Sequence, residues 1–176
     1  SFLVSPDVDI QYIFSDSYLL YAQAKGGRIH SDFDRFQQVS PYTFLAGKNR
    51  DTYEQLNASL GFKASPIPGL SLNVFGGFQK LKDDLYVHTV GDDSLTSYFA
   101  NEDTKNFYGG ASVLYDYKGI FQMDLSAIGR KWKTDGLNKN ALLYKPKMEL
   151  DAGFYLKPID PLKVGVNYKL ITREQP

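Results

Sequence analysis

The sequence predicts an all-β fold, an antiparallel up-and-down meander of about eight strands. Three observations carry that expectation. Apolar and polar residues alternate with a period of two over eight segments, which puts successive side chains on opposite faces of a sheet. Connections rich in Gly, Pro, Ser and Asp separate the segments, short and long in strict alternation. Finally, 13 Tyr, 12 Phe and 15 Gly crowd into 176 residues, and no stretch carries apolar residues at helical spacing for three turns.

In chain order, 8–14 and 18–26 alternate with exceptions such as Leu19 and join through Ser15-Asp16-Ser17. In the third strand Leu56, Ala58, Leu60, Phe62 and Ala64 oppose Gln55, Asn57, Ser59, Gly61 and Lys63. The fourth sets Leu70, Leu72, Val74, Gly76 and Phe78 against Ser71, Asn73, Phe75, Gly77 and Gln79, after the turn 65–69 with its two prolines. The fifth and sixth, 107–117 and 120–132, alternate with exceptions at Leu114 and Ile128 and meet at Lys118-Gly119. In the seventh, Met148, Leu150, Ala152, Phe154 and Leu156 oppose Glu149, Asp151, Gly153, Tyr155 and Lys157. Beyond the turn 158–161, Leu162, Val164, Val166, Tyr168 and Leu170 oppose Lys163, Gly165, Asn167 and Lys169. Prolines stay out of the strand interiors, where they would break the ladder. Long connections are expected at about 27–52, 81–106 and 133–146, so one rim carries tight turns and the other long loops.

Composition narrows the function classes. Twenty basic and twenty acidic residues cancel, so binding nucleic acid through bulk charge is not expected. The absence of cysteine removes disulfides, thiolate zinc sites and thiol nucleophiles. The longest apolar run, Tyr18 to Ala22, is far below the roughly 20 residues of a spanning helix.

The alternation fits two environments. A soluble barrel points its apolar face inward around an apolar ligand; an outer-membrane barrel turns that face to lipid and lines its lumen with polar groups. Turn asymmetry favours the membrane. So does aromatic placement: Phe14, Tyr18, Phe62, Tyr115, Tyr117, Phe121 and Phe154 gather near the short turns, with Ala22, Ala58, Ala111, Ala127 and Ala152 further along. A structural or adhesive surface domain is a third class. On the membrane reading the lumen face carries Asn57, Asn73, Asp124, Arg130, Glu149, Asp151, Lys163 and Asn167, and the bilayer is the first partner. Strand 1 running down to a short turn puts both chain ends on the long-loop rim, as expected for four hairpins of a larger barrel. The free sheet edges then need the remainder of that barrel, closure of the sheet on itself, or a partner chain.

The runs LNASLGFKASPIPGLSLNVFGGF (56–78) and YLKPIDPLKVGVNY (155–168) resemble hairpins of TonB-dependent receptors and related porin-like barrels from Bacteroidetes outer membranes. The resemblance covers most of the chain. It implies a place in the cell outer membrane and nutrient or solute transport, with a plug domain elsewhere that engages TonB.

Sites of chemistry are sparse, and neither an enzyme nor a cofactor is expected. His30 and His88 have no evident co-ligands, and the acidic stretch Asp83, Asp84, Asp92, Asp93, Glu102 and Asp103 lacks a calcium-loop spacing, so no metal is assigned. Gly76-Gly77 and Gly109-Gly110 open no helix and read as relief of crowding in a curving sheet. Glu149 and Asp151 share a face, where a lumen wall is the simpler reading than catalysis. Rings in the long loops, Phe33, Phe36, Tyr42, Tyr86, Tyr98 and Phe99, are candidates for gripping a ligand or for packing inward under the loops.

Overall fold

In the computed structural model the described residues are 5–32, 34, 36, 50–89, 97–134, 136, 139–143, 145–159 and 162–173. They form one eight-stranded sheet with every strand paired to its sequence neighbours: β1 (Asp7–Ser15), β2 (Tyr18–Ile29), β3 (Thr52–Ala64), β4 (Leu70–Thr89), β5 (Ser97–Tyr117), β6 (Phe121–Thr134), β7 (Pro146–Ile159) and β8 (Leu162–Arg173). All seven pairings are antiparallel. A short 3-10 helix, Lys139–Leu142, lies between β6 and β7.

The tight turns follow their residues. Lys118 and Gly119 both take positive φ (53° and 69°) in the three-residue connection of β5 to β6, a backbone shape that follows the twist of the strands. The Asp116 carboxylate receives the Gly119 amide at 2.8 Å. Gly69, at φ 82°, has no room for a Cβ, which would sit 2.1 Å from the Asp116 carbonyl oxygen.

Register sorts the side chains onto two faces. Leu20, Phe62, Val74, Ala111, Ala127, Leu150 and Leu170 form one cross-strand row. The adjacent row on the other face reads Leu19, Lys63, Asn73, Ser112, Ser126, Asp151 and Lys169. The apolar face covers no core: Leu60 is 63% exposed, Val74 56% and Val166 63%. Burial concentrates instead toward the long-connection rim, where Phe36, Leu85, Val87 and Phe99 form a cluster. β1 and β8 are exposed along their whole lengths and, among the described residues, do not pair with each other.

The three long connections expected from sequence are shorter than expected. The connection expected at 81–106 is largely strand, since β4 runs to Thr89 and β5 begins at Ser97. The register shifts between Leu81 and Asp84, with Asp83 at φ 53°. An extra residue in a ladder reverses the phase of everything after it, so the period-two pattern breaks where the strand continues. The connections expected at 27–52 and 133–146 are trimmed less, by β2 reaching Ile29 and β6 reaching Thr134.

Glycine on the polar face makes room for rings from neighbouring strands. Tyr108 lies over Gly77, where a Cβ would come within 2.4 Å of the ring and 2.7 Å of the Ala58 carbonyl; its hydroxyl then donates to Asn57 Oδ1 at 2.6 Å. Tyr21 crosses Gly61 in the same way and donates to Asn73 Oδ1 at 3.1 Å. Gly77→Ala is therefore expected to destabilise by about 1–3 kcal/mol through overpacking, with about 1 kcal/mol more if the Tyr108–Asn57 bond is lost. Gly76→Ala, on the opposite face with its nearest neighbour at 3.7 Å, should stay within about 0.5 kcal/mol. Thermal unfolding of the two variants in detergent checks this, and equal melting temperatures would remove the ring-over-glycine argument.

Candidate functional site

The strand register puts Asn57, Asn73, Asp124, Arg130, Glu149, Asp151, Lys163 and Asn167 on one face of the sheet. They fall into two groups. Across β3–β5, Asn57 and Asn73 accept the tyrosine hydroxyls described above. Across β6–β8, Arg130 Nε meets Glu149 Oε1 at 3.2 Å, and its guanidinium lies 5.8 Å from the Tyr108 ring centroid. Lys169 and Asp151 approach to 3.5 Å, Tyr155 donates to Asn167 at 2.7 Å, and Lys163 stands 5.1 Å over the Tyr155 ring. Asp124 is exposed on the same face.

A second set of polar residues, not foreseen from sequence, extends this face toward the long-connection rim. Asn106 Nδ2 donates to Gln79 Oε1 at 3.3 Å; Gln79 Nε2 donates in turn to Glu54 Oε2, which also receives Asn57 Nδ2 at 3.4 Å. The chain converges on one carboxylate and begins at Asn106, whose Oδ1 is buried with no partner among the described residues. Gln79 and Asn106 continue the polar parity of β4 and β5, so pattern held a signal for them.

Next to this chain an open cavity of about 370 Å³ is lined by residues that include Leu81, Asp84, Tyr86, Trp132 and Lys145. Lys145 Nζ pairs with Asp84 Oδ2, which also accepts the Thr104 hydroxyl at 2.7 Å. The ammonium lies 4.6 Å over the Trp132 ring, and Trp132 Nε1 donates to the Pro146 carbonyl at 2.8 Å. The 133–146 connection is thereby tied to the β4–β5 hairpin. Apolar walls with fixed charges are suited to orienting a polar solute.

The aromatic candidates require correction. Tyr86, Tyr98 and Phe99 belong to β4 and β5, not to a loop. Phe36, Tyr86 and Phe99 are buried, and Phe36 packs on Phe99 with centroids 4.8 Å apart. Phe99 packs beneath Phe36 with Leu85 and Val87 on one face of the β4–β5 hairpin, while Tyr86 lines the cavity on the other. Phe33 and Tyr42 lie outside the described residues.

Among the described residues no three His, Cys, Asp or Glu side chains come together as metal ligands. Several of the acids engage other groups: Asp83 meets Arg50 at 3.4 Å, and Asp103 receives the Asp83 amide at 2.9 Å. Asp92 and Asp93 are outside the described residues. His30 pairs with Asp51 at 3.1 Å on the surface. The Ser31 amide donated to Asp51 holds that carboxyl below its ordinary pKa, with His30 and Arg28 adding to the effect.

A single-layer meander with an exposed apolar face and a hydrogen-bonded polar face has the form of a β-barrel wall. Solved structures share that form. The copper transporter OprC superposes with a TM-score of 0.63 at 18% identity, over 95% of this chain and 26% of OprC. The FrpB iron transporter from Neisseria meningitidis (F3-3 variant) gives 0.57 at 14% identity, over 93% of this chain and 26% of FrpB. The chain thus spans about a quarter of the length of each. No protein-family model and no curated protein sequence matches it.

Proposed function

We propose that this chain is a wall segment of an outer-membrane transport barrel, its apolar face against lipid and its polar face toward a watered lumen. One observation carries the reading. On the exposed face of β5, Phe107 to Tyr117 spans eleven residues with both rings included, and a membrane-crossing strand needs about 9–11. Aromatic rings mark both levels. Phe14, Tyr18 and Phe62 stack at 5.9–6.1 Å near the short turns, and Phe78 and Phe107 pair at 4.9 Å at the far end. Two such levels on an apolar band are the girdles of a transmembrane barrel.

A soluble carrier would hide its apolar face, whereas here Thr104 and Asn106 of the polar face are buried and Leu60 and Val74 are exposed. The edges of β1 and β8, unpaired among the described residues, and the partial span of the superposed transporters support a place within a larger barrel. Extended to the whole protein, the reading is solute or nutrient uptake with a plug domain and TonB, and the lumen residues govern passage. The test is purification with and without detergent. Detergent-dependent solubility with heat-modifiable gel mobility is the expected result; a sharp monomer melting cooperatively in plain buffer would overturn it.

A further inference from the structure

Just beyond the Phe78–Phe107 pair, on the same face, the register sets Lys80, Lys105 and Lys133 directly opposite one another on three adjacent strands. Lys131 lies opposite Phe107, and Lys133 Nζ stands 5.8 Å from that ring's centroid. Like charges placed opposite each other weaken a sheet, and this row contains no carboxylate. None of the described ion pairs involves Lys80, Lys131 or Lys133. The nearest acid along that face of β5, Asp103, receives the Asp83 amide. A repulsive row kept at the edge of an apolar band is complementary to an anion at that level.

The surface beside the lysines has room for what such an anion carries. Gly76, Gly109 and Gly129 line up across β4, β5 and β6 below the phenylalanines, and a Cβ on any of them would meet only a backbone oxygen at 3.5–3.9 Å. This trough adjoins an open apolar depression of about 400 Å³ lined by Ala111, Val113, Leu125, Ala127 and Ala152. A charged head at the lysines and an apolar chain along the trough match one amphiphile.

We propose that this lysine row is a docking site for the phosphate headgroup of an anionic lipid, with its acyl chain lying over the glycine trough. The proposal rests on the lipid-facing reading of this sheet face. Lysine suits the role because it is a compact point charge on a flexible stem that pairs with phosphate without fixed geometry, and juxtamembrane basic clusters bind anionic headgroups.

The test folds the protein into phosphatidylcholine vesicles with or without about one-fifth phosphatidate, the fraction being a choice of scale for surface charge. Phosphatidate retained by the protein after extraction into mild detergent is then measured. The unaltered protein is expected to enrich phosphatidate, with retention falling as salt rises. Lys80→Gln/Lys131→Gln/Lys133→Gln should lose affinity about five-fold per lysine, on the order of a hundred-fold together, while Lys63→Gln/Lys169→Gln on the polar face should not. Lys105 is left in place because it has a further interaction of its own. Equal retention by the triple variant, or displacement of the lipid by millimolar inorganic phosphate, would overturn the lipid assignment. Insertion into both vesicle types with no preference would sink the lysine site and leave the barrel reading standing. Failure of the unaltered whole barrel that contains this segment to insert anywhere would sink both.

Discussion

Val74→Arg should cost about 2–4 kcal/mol of folding stability in a lipid vesicle, the penalty for a guanidinium at the midplane of a barrel's lipid face. Val74 lies midway between Leu70 and the aromatic level at Phe78, and its side chain is exposed. Ser112→Arg is the matched control, because Ser112 pairs with Asn73 on the polar face only one residue from Val74's own partner, Ala111. That change should stay within about 0.5 kcal/mol, as surface substitutions do. Leu156→Arg, close to the short turn, should cost about 0–1 kcal/mol because it reaches the interface. Denaturant titrations in vesicles, read as midpoint shifts at constant slope, give all three values. A costly Ser112→Arg with a neutral Val74→Arg would invert the faces and return the sheet to a soluble fold.

The contrast between these substitutions rests on the feature most legible in the sequence. From Leu56 to Phe78 the alternation is nearly unbroken, and β3 and β4 pair in the register that keeps both apolar sets together. Legibility ended at the bulge after Leu81. There one extra residue inverted the phase, and Leu85 and Val87, which belong to a buried cluster, fell out of step with the strand before them. Rings such as Phe36 and Phe99 carry no sequence mark of whether they face solvent, because a segment distant in sequence decides it. The Glu54–Gln79–Asn106 chain was hidden for a related reason: its members lie on three strands, and only register brings them within hydrogen-bonding range. Asn57 and Asn73 were found by parity alone. The tyrosines that fix them were invisible, since the crossing of Gly61 and Gly77 is a matter of side-chain direction.

Lys145 carried no periodic signal at all, yet its removal is the second change expected to have a large effect. Its side chain is 12% exposed and that of its partner Asp84 3%. Taking away the lysine leaves the buried Asp84 carboxylate short of its cation, at a cost of about 3–5 kcal/mol. Lys145→Met keeps an unbranched stem beside Trp132 and removes only the charge. The expected result is a loss of that order in detergent-solubilised protein, together with faster proteolysis of the 133–146 connection as it detaches from the hairpin. Asp84→Asn should restore much of the loss in the double variant, because the amide oxygen can still accept the Thr104 hydroxyl while no charge stays buried. A double-mutant cycle gives the coupling directly. Additive losses would mean that the pair is solvated and that the connection is held by Trp132 and its bond to Pro146. Strong coupling would instead make the ion pair the latch that shapes the cavity, so that, on the proposed transport reading, single variants alter passage of solute while the neutral double variant passes it normally.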